Sequence, residues 1–141
     1  MSSLAASSFG NPPAGYISPS FPSLLWTADD RANGALLYYT KDIVRFTIFW
    51  TLILVGGMYG AVGLIAGYSH RRITGGVGIL AIYLLLGALH AILGGTFSGL
   101  ITAAIYRAAL IAMSTWIPLA SAVVQALYLL CAAFVAQSKL I

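Results

Sequence analysis

Three long stretches without a permanent charge set the terms for this chain. Residues 46–68 are 23 consecutive positions lacking Asp, Glu, Lys and Arg; residues 79–106 form a second run, interrupted only by the ionisable His90, and residues 117–136 a third. A helix needs about 20 apolar residues to cross a hydrocarbon core roughly 30 Å thick. Each run is long enough. Composition agrees: 60% of residues are hydrophobic, 7% are charged and mean hydropathy is +0.95. Soluble domains carry about a quarter charged residues, which they need to cover their surface. The expected fold is all-α, a polytopic integral membrane protein with three transmembrane helices over 46–68, 79–105 and 117–136.

The remaining sequence organises around these spans. Residues 1–26, with Pro12, Pro13, Pro19 and Pro22 and the isolated aromatics Phe9, Tyr16 and Phe21, read as an extended tail whose aromatics suit docking in a partner's groove. Thr27 followed three residues later by Asp30 is a helix-start signal. It predicts a short interfacial amphipathic helix over 27–42, with Leu36, Leu37, Tyr38 and Tyr39 toward lipid and Arg31 and Lys41 toward water. A three-helix transmembrane domain then fills 43–137. Residues 74–78 read as a Gly-rich connection. Residues 108–116 are apolar but too short to span, and fit a continuation of helix two, an interfacial loop or part of helix three equally well. Thr115 suits a cap for helix three, with Pro118 in its first turn, where a missing amide costs nothing.

Several function classes have no raw material here. Seven Lys and Arg stand against three acids, for a net charge of +4, but the cations are scattered and form no stripe that would track nucleic acid. Cys131 is the single cysteine, so no intrachain disulfide is possible. No basic segment followed by an apolar one marks a secretory leader, which leaves targeting to the first span. All the acids, Asp29, Asp30 and Asp42, precede that span. Paired carboxylates, metal-ligand clusters and phosphate loops are absent from the pattern, so no enzyme activity, cofactor or metal is expected.

What the spans do carry is small residues at helical spacing. Gly56, Gly60, Gly63 and Gly67 share one face of helix one, and Gly87, Ala91, Gly94 and Ser98, with Thr102, share one face of helix two. Such faces let backbones approach closely where lipid supplies no hydrophobic drive, so they are assigned to helix packing. A second set, Gly57 and Ala61 with Gly95 and Gly99, fits contact with another protein or with lipid chains. His90 lies about 16 Å along helix two, near mid-membrane. An intramembrane ionisable residue is a functional candidate, but a lone histidine makes neither a relay nor a metal site, and a hydrogen bond to Gln125 on helix three competes. Arg107 falls about 42 Å along a straight helix from Ile79, beyond the core, where it would snorkel to headgroups; a later helix start would bury it beside Gln125 or a lipid phosphate.

Several segments together resemble the transmembrane protein 170 family: Phe21-Pro22-Ser23-Leu24-Leu25-Trp26, Gly63-Leu64-Ile65-Ala66 leading to His70-Arg71-Arg72, Ala103-Ala104-Ile105-Tyr106-Arg107-Ala108-Ala109, and Ile117-Pro118 followed by Gln125. The stretch 27–42 looks like an insertion relative to that pattern, and His90 has no counterpart in it. The resemblance implies a three-span protein of the endoplasmic reticulum and nuclear envelope with a lumenal N-terminus, associated with membrane organisation, notably sheet formation. With it, the compact His70-Arg71-Arg72 cluster favours a cytosolic first loop and C-terminus; charge counting alone, four cations against three, decides nothing. Expected partners are membrane lipids and other integral membrane proteins of the endoplasmic reticulum, with Arg107, Tyr106, Gln125, Arg71 and Arg72 as candidate headgroup or partner contacts. Two alternatives remain: a subunit of a lipid-transfer or lipid-handling complex, with acyl chains in a groove between helices one and two, and a small transporter or channel built on His90, Gln125 and Arg107.

Overall fold

The computed structural model describes residues 12, 14–24, 36–69 and 73–138. Three helices dominate: α1 over Thr40–Ser69, α2 over Ile73–Ala108 and α3 over Trp116–Ser138. All three are long and apolar enough to cross a membrane. Helices are the natural outcome, because hydrocarbon offers the backbone no partners and a helix satisfies its amides and carbonyls internally. The threonine hydroxyls within the spans follow the same rule: Thr47 donates to the Ile43 carbonyl, Thr51 to Thr47 and Thr102 to Ser98.

Only three residues separate α1 from α2, so the two form an antiparallel hairpin. Contact runs along its whole length, from Gly67 against Gly76, through Gly63 against Tyr83 and Tyr59 against Gly87, to Ile48 against Gly95 and Val44 against Gly99. The Gly-rich stretch 74–78, expected as a connection, is part of α2. Its glycine serves close approach here and not a turn. A Cβ on Gly76 would lie 2.6 Å from the Gly67 carbonyl oxygen, closer than van der Waals contact allows.

The third helix leans on this hairpin, mainly on α1. It buries Pro118, Ala122 and Ala126, a small-residue row at intervals of four. Val55, Ala91 and Ala126 meet at the centre of the bundle, one from each helix, flanked by Met58, Tyr59 and Leu129. Beyond that point α3 is bare, and every residue from 131 to 138 is exposed.

A two-residue ladder closes one end. β1 (Leu36–Leu37) pairs antiparallel with β2 (Met113–Ser114), Leu36 opposite Ser114 and Leu37 opposite Met113. This corrects the expected interfacial helix over 27–42: residues 27–35 lie outside the described set, but Leu36 and Leu37 are strand, and α1 already begins at Thr40. Leu37 does not face lipid. It is buried with Ile43, Phe46, Ala103 and Met113 in a second core cluster, because the returning chain offers both a hydrogen-bonding edge and apolar cover. The ladder also settles the connection between α2 and α3, which is neither helix but a turn and a strand.

That turn ends α2 in a defined way. Leu110 has a left-handed φ of 53°, the Ile111 amide donates to the Tyr106 carbonyl, and the Leu110 amide donates to Arg107. This is the six-to-one and reverse pairing that caps helix C-termini, normally with glycine at the left-handed position. Leucine there costs about 1 kcal/mol.

Candidate functional site

Antiparallel packing brings the start of α1 and the end of α2 to the same end of the bundle. There the Arg107 guanidinium donates to the Thr40 hydroxyl at 3.4 Å, across 67 residues of sequence. Arg107 is exposed in the last turn of α2, where a cation complements the helix dipole. Gln125 is not its partner. A pocket of about 480 Å³ opens beside this contact, lined by Tyr38, Lys41, Tyr106 and Arg107 and walled on its apolar side by Leu37, Ile43, Leu110 and Ile111. Among the described residues neither Lys41 nor Arg107 has an acidic partner.

The described part of the tail lies against the same end of α1. The Tyr16 hydroxyl donates to the Leu36 carbonyl at 2.6 Å, and the Ser18 hydroxyl donates to Asp42 Oδ2 at 2.7 Å. Phe21 sits among Phe46, Phe49 and Trp50 with ring centroids 5.1 to 5.7 Å apart. Phe21 thus docks on α1 and Tyr16 on residues 36–39 just before it, contacts that the sequence does not signal; Phe9 lies outside the described residues. Burial, and secondarily the Asp42 carboxylate, push the Tyr16 hydroxyl up to about 12. A free tyrosine ionises near pH 10. Between those values the docked tail keeps a proton that a released tail has lost, so docking weakens as pH rises through that window and is indifferent to pH below it. A spectrophotometric titration should lose a late tyrosinate component in Tyr16→Phe.

The second polar feature is inside the bundle. Gln125 of α3 donates from Nε2 to the Gly94 carbonyl at 3.1 Å and to the Ser98 hydroxyl at 2.6 Å, both on α2. Gly94 and Ser98 therefore face α3, not α1. Gly94 gives room for the amide, since a Cβ there would stand 2.9 Å from Gln125 Oε1. His90 is not the partner of Gln125. It is exposed on α2, with its ring 6.2 Å from that of Tyr59.

The small-residue faces are distributed differently from their sequence grouping. Gly63, Gly67, Gly87 and Ala91 lie at the contact between helices, Gly60 makes ordinary contact with Leu84, and Gly56 has open space where a Cβ would stand. Gly95 and Gly99, grouped by spacing with the partner-facing set, instead bring α2 against the α1 backbone at Ile48 and Val44, while Gly57 and Ala61 are exposed. Gly95 and Gly99 of α2 stand opposite Thr51 and Thr47, Gly87 of α2 opposite Tyr59 and Gly63 of α1 opposite Leu80 and Tyr83, while Gly67 and Gly76 meet backbone to backbone. The α1 and α2 backbones therefore approach each other directly at Gly67, Gly76, Gly95 and Gly99. Arg71 and Arg72 lie outside the described residues. Among the described residues no cluster of His, Cys, Asp and Glu could hold a metal ion.

The chain is 44% identical over 117 residues to an uncharacterized protein, YPR153W, of Saccharomyces cerevisiae, covering 82% of this chain and 84% of the relative. No solved structure matches it. The Transmembrane protein 170A/B-like family matches residues 36–140, a range that takes in β1, all three helices, the pocket lining apart from Pro12, and the Gln125 bridge. With three apolar spans and that match over most of its length, the chain belongs to the transmembrane protein 170A/B-like family.

Proposed function

We propose that this protein acts without catalysis, as an organiser of endoplasmic reticulum and nuclear envelope membranes that holds or stabilises partner membrane proteins. The observation that carries the reading is the unequal burial of its helices. α1 and α2 are closed against each other by glycine contacts, whereas α3 buries only Pro118, Ala122 and Ala126 and leaves its C-terminal stretch uncovered. A span held at one end presents a long apolar face to lipid or to another span, and in lipid such contacts form by packing alone. The N-terminus is assigned to the lumen, and the loop carrying His70, Arg71 and Arg72 and the C-terminus to the cytosol.

Two alternatives draw less support from the geometry. A carrier needs polar groups gathered near the midplane, but His90, Gln125 and Arg107 point to three separate places. A lipid-handling subunit finds α1 and α2 in close contact at several glycines where acyl chains were expected, though α3 could still meet a large partner. Deletion of the protein is expected to shift the balance between membrane sheets and tubules and to lower the abundance of at least one integral membrane partner recovered with it in mild detergent. Unchanged morphology together with unchanged partner levels would refute the organiser reading, and a stoichiometric lipid-transfer partner would favour the subunit.

A further inference from the structure

We propose that the pocket between the start of α1 and the end of α2 binds the phosphate of an anionic phospholipid in the leaflet on the N-terminal side of the membrane. The first argument is charge. Among the described residues two cations, Lys41 and Arg107, line the pocket and no acid does; Asp42 faces the neighbouring cleft, where it accepts the Ser18 hydroxyl. Arg107 is held toward the pocket by its bond to Thr40, so part of the entropy of ordering a long side chain is spent before a ligand arrives. A guanidinium in fixed orientation can meet phosphate oxygens in pairs, and a lysine adds a point charge.

The second argument is depth. α1 has 30 residues and α2 has 36, or about 45 and 54 Å at 1.5 Å per residue, both longer than a hydrocarbon core of roughly 30 Å. The ends that carry Thr40, Lys41 and Arg107 therefore stand at headgroup level. Leu110 and Ile111 supply an apolar wall beside the cations, and Tyr106 belongs to the residue class that favours this level. A soluble phosphate needs no such wall; a lipid does. A zwitterionic headgroup is disfavoured because its ammonium meets two cations there and, among the described residues, no carboxylate.

The full chain purified in dodecyl maltoside can be titrated with dioleoyl phosphatidic acid, dioleoyl phosphatidylcholine or sodium phosphate, with bound lipid counted by native mass spectrometry. Phosphatidic acid is expected to be retained about tenfold more tightly than phosphatidylcholine, and the double variant Lys41→Gln, Arg107→Gln to lose about that factor. Arg45→Gln, which removes a cation from the same end of the bundle but outside the pocket, should leave retention unchanged. Equal retention of the two lipids, an equal loss in Arg45→Gln, or displacement of phosphatidic acid by inorganic phosphate at matched concentration would overturn the proposal. Lys41 is exposed and makes no bond among the described residues, so Lys41→Gln alone, with an expected loss of several-fold, decides the matter if the double variant does not fold. This outcome is independent of any effect of the protein on sheets and tubules.

Discussion

Gly95→Leu is expected to prise the α1–α2 hairpin apart and to cost about 3 kcal/mol, at the upper end for overpacking. A Cβ at this position would stand 2.9 Å from the Ile48 Cα and 2.8 Å from Thr51 Oγ1. The first contact is with backbone, which moves only if the whole helix moves. The second is with a hydroxyl already committed to the Thr47 carbonyl, so it cannot rotate away without losing that acceptor in an apolar medium. Leucine adds three further carbons beyond the Cβ, and no rotamer removes the clash at the Cβ itself. Gly57→Leu is the matched control, because a Cβ there meets nothing within 4 Å. It should be neutral or slightly stabilising, since leucine is a better helix former than glycine by under about 1 kcal/mol. Reversible unfolding in mixed micelles measures both. Equal stabilities of the two variants would show that the hairpin does not depend on close approach at Gly95.

The second large effect is expected at Gln125. Its amide joins α3 to α2 at two acceptors, the Gly94 carbonyl and the Ser98 hydroxyl, in a bundle where these two helices otherwise touch little. Gln125→Leu removes both bonds and should weaken α3 docking by about 1 to 2 kcal/mol, the range found for interhelical hydrogen bonds in membranes. Leucine preserves apolar volume, so the loss reports the polar contact and not a cavity. A double-mutant cycle with Ser98→Ala isolates the pair: a coupling of about 0.6 to 1.7 kcal/mol is expected. Gln137→Leu, on the exposed end of the same helix, should change nothing. Additive effects of Gln125→Leu and Ser98→Ala would mean that the two side chains stabilise the bundle independently.

These two positions also mark how far the sequence could be read. The spans were legible because the signal is a long absence of charge, which lipid demands whatever the helices pack against. Gly63, Gly67 and Gly87 were legible as packing residues because small residues at intervals of three and four lie on one face of any helix. Gly95 and Gly99 were not, since they belong to an adjacent and equally regular row, and spacing alone does not say which row meets the neighbour. Gln125 stood out as a polar side chain in a span, but its partner did not: His90 looked suitable by chemistry and points elsewhere in space. The end of α2 was hidden for a more local reason. Its cap uses Leu110 where glycine would have advertised a left-handed residue.

The three charge-free runs, met first, determine by themselves that this chain is a three-span membrane protein, because burying charge in hydrocarbon is costly at any position along a helix. Tertiary structure alone decided that Gly95 and Gly99 join the interface, that Leu36 and Leu37 pair with the α2–α3 connection, and that Lys41 and Arg107 share one pocket. Each of those depends on the rotation and register of one element against another. Those quantities are set by the fit of backbone to backbone across the hairpin, and a periodicity common to several faces of one helix cannot encode them.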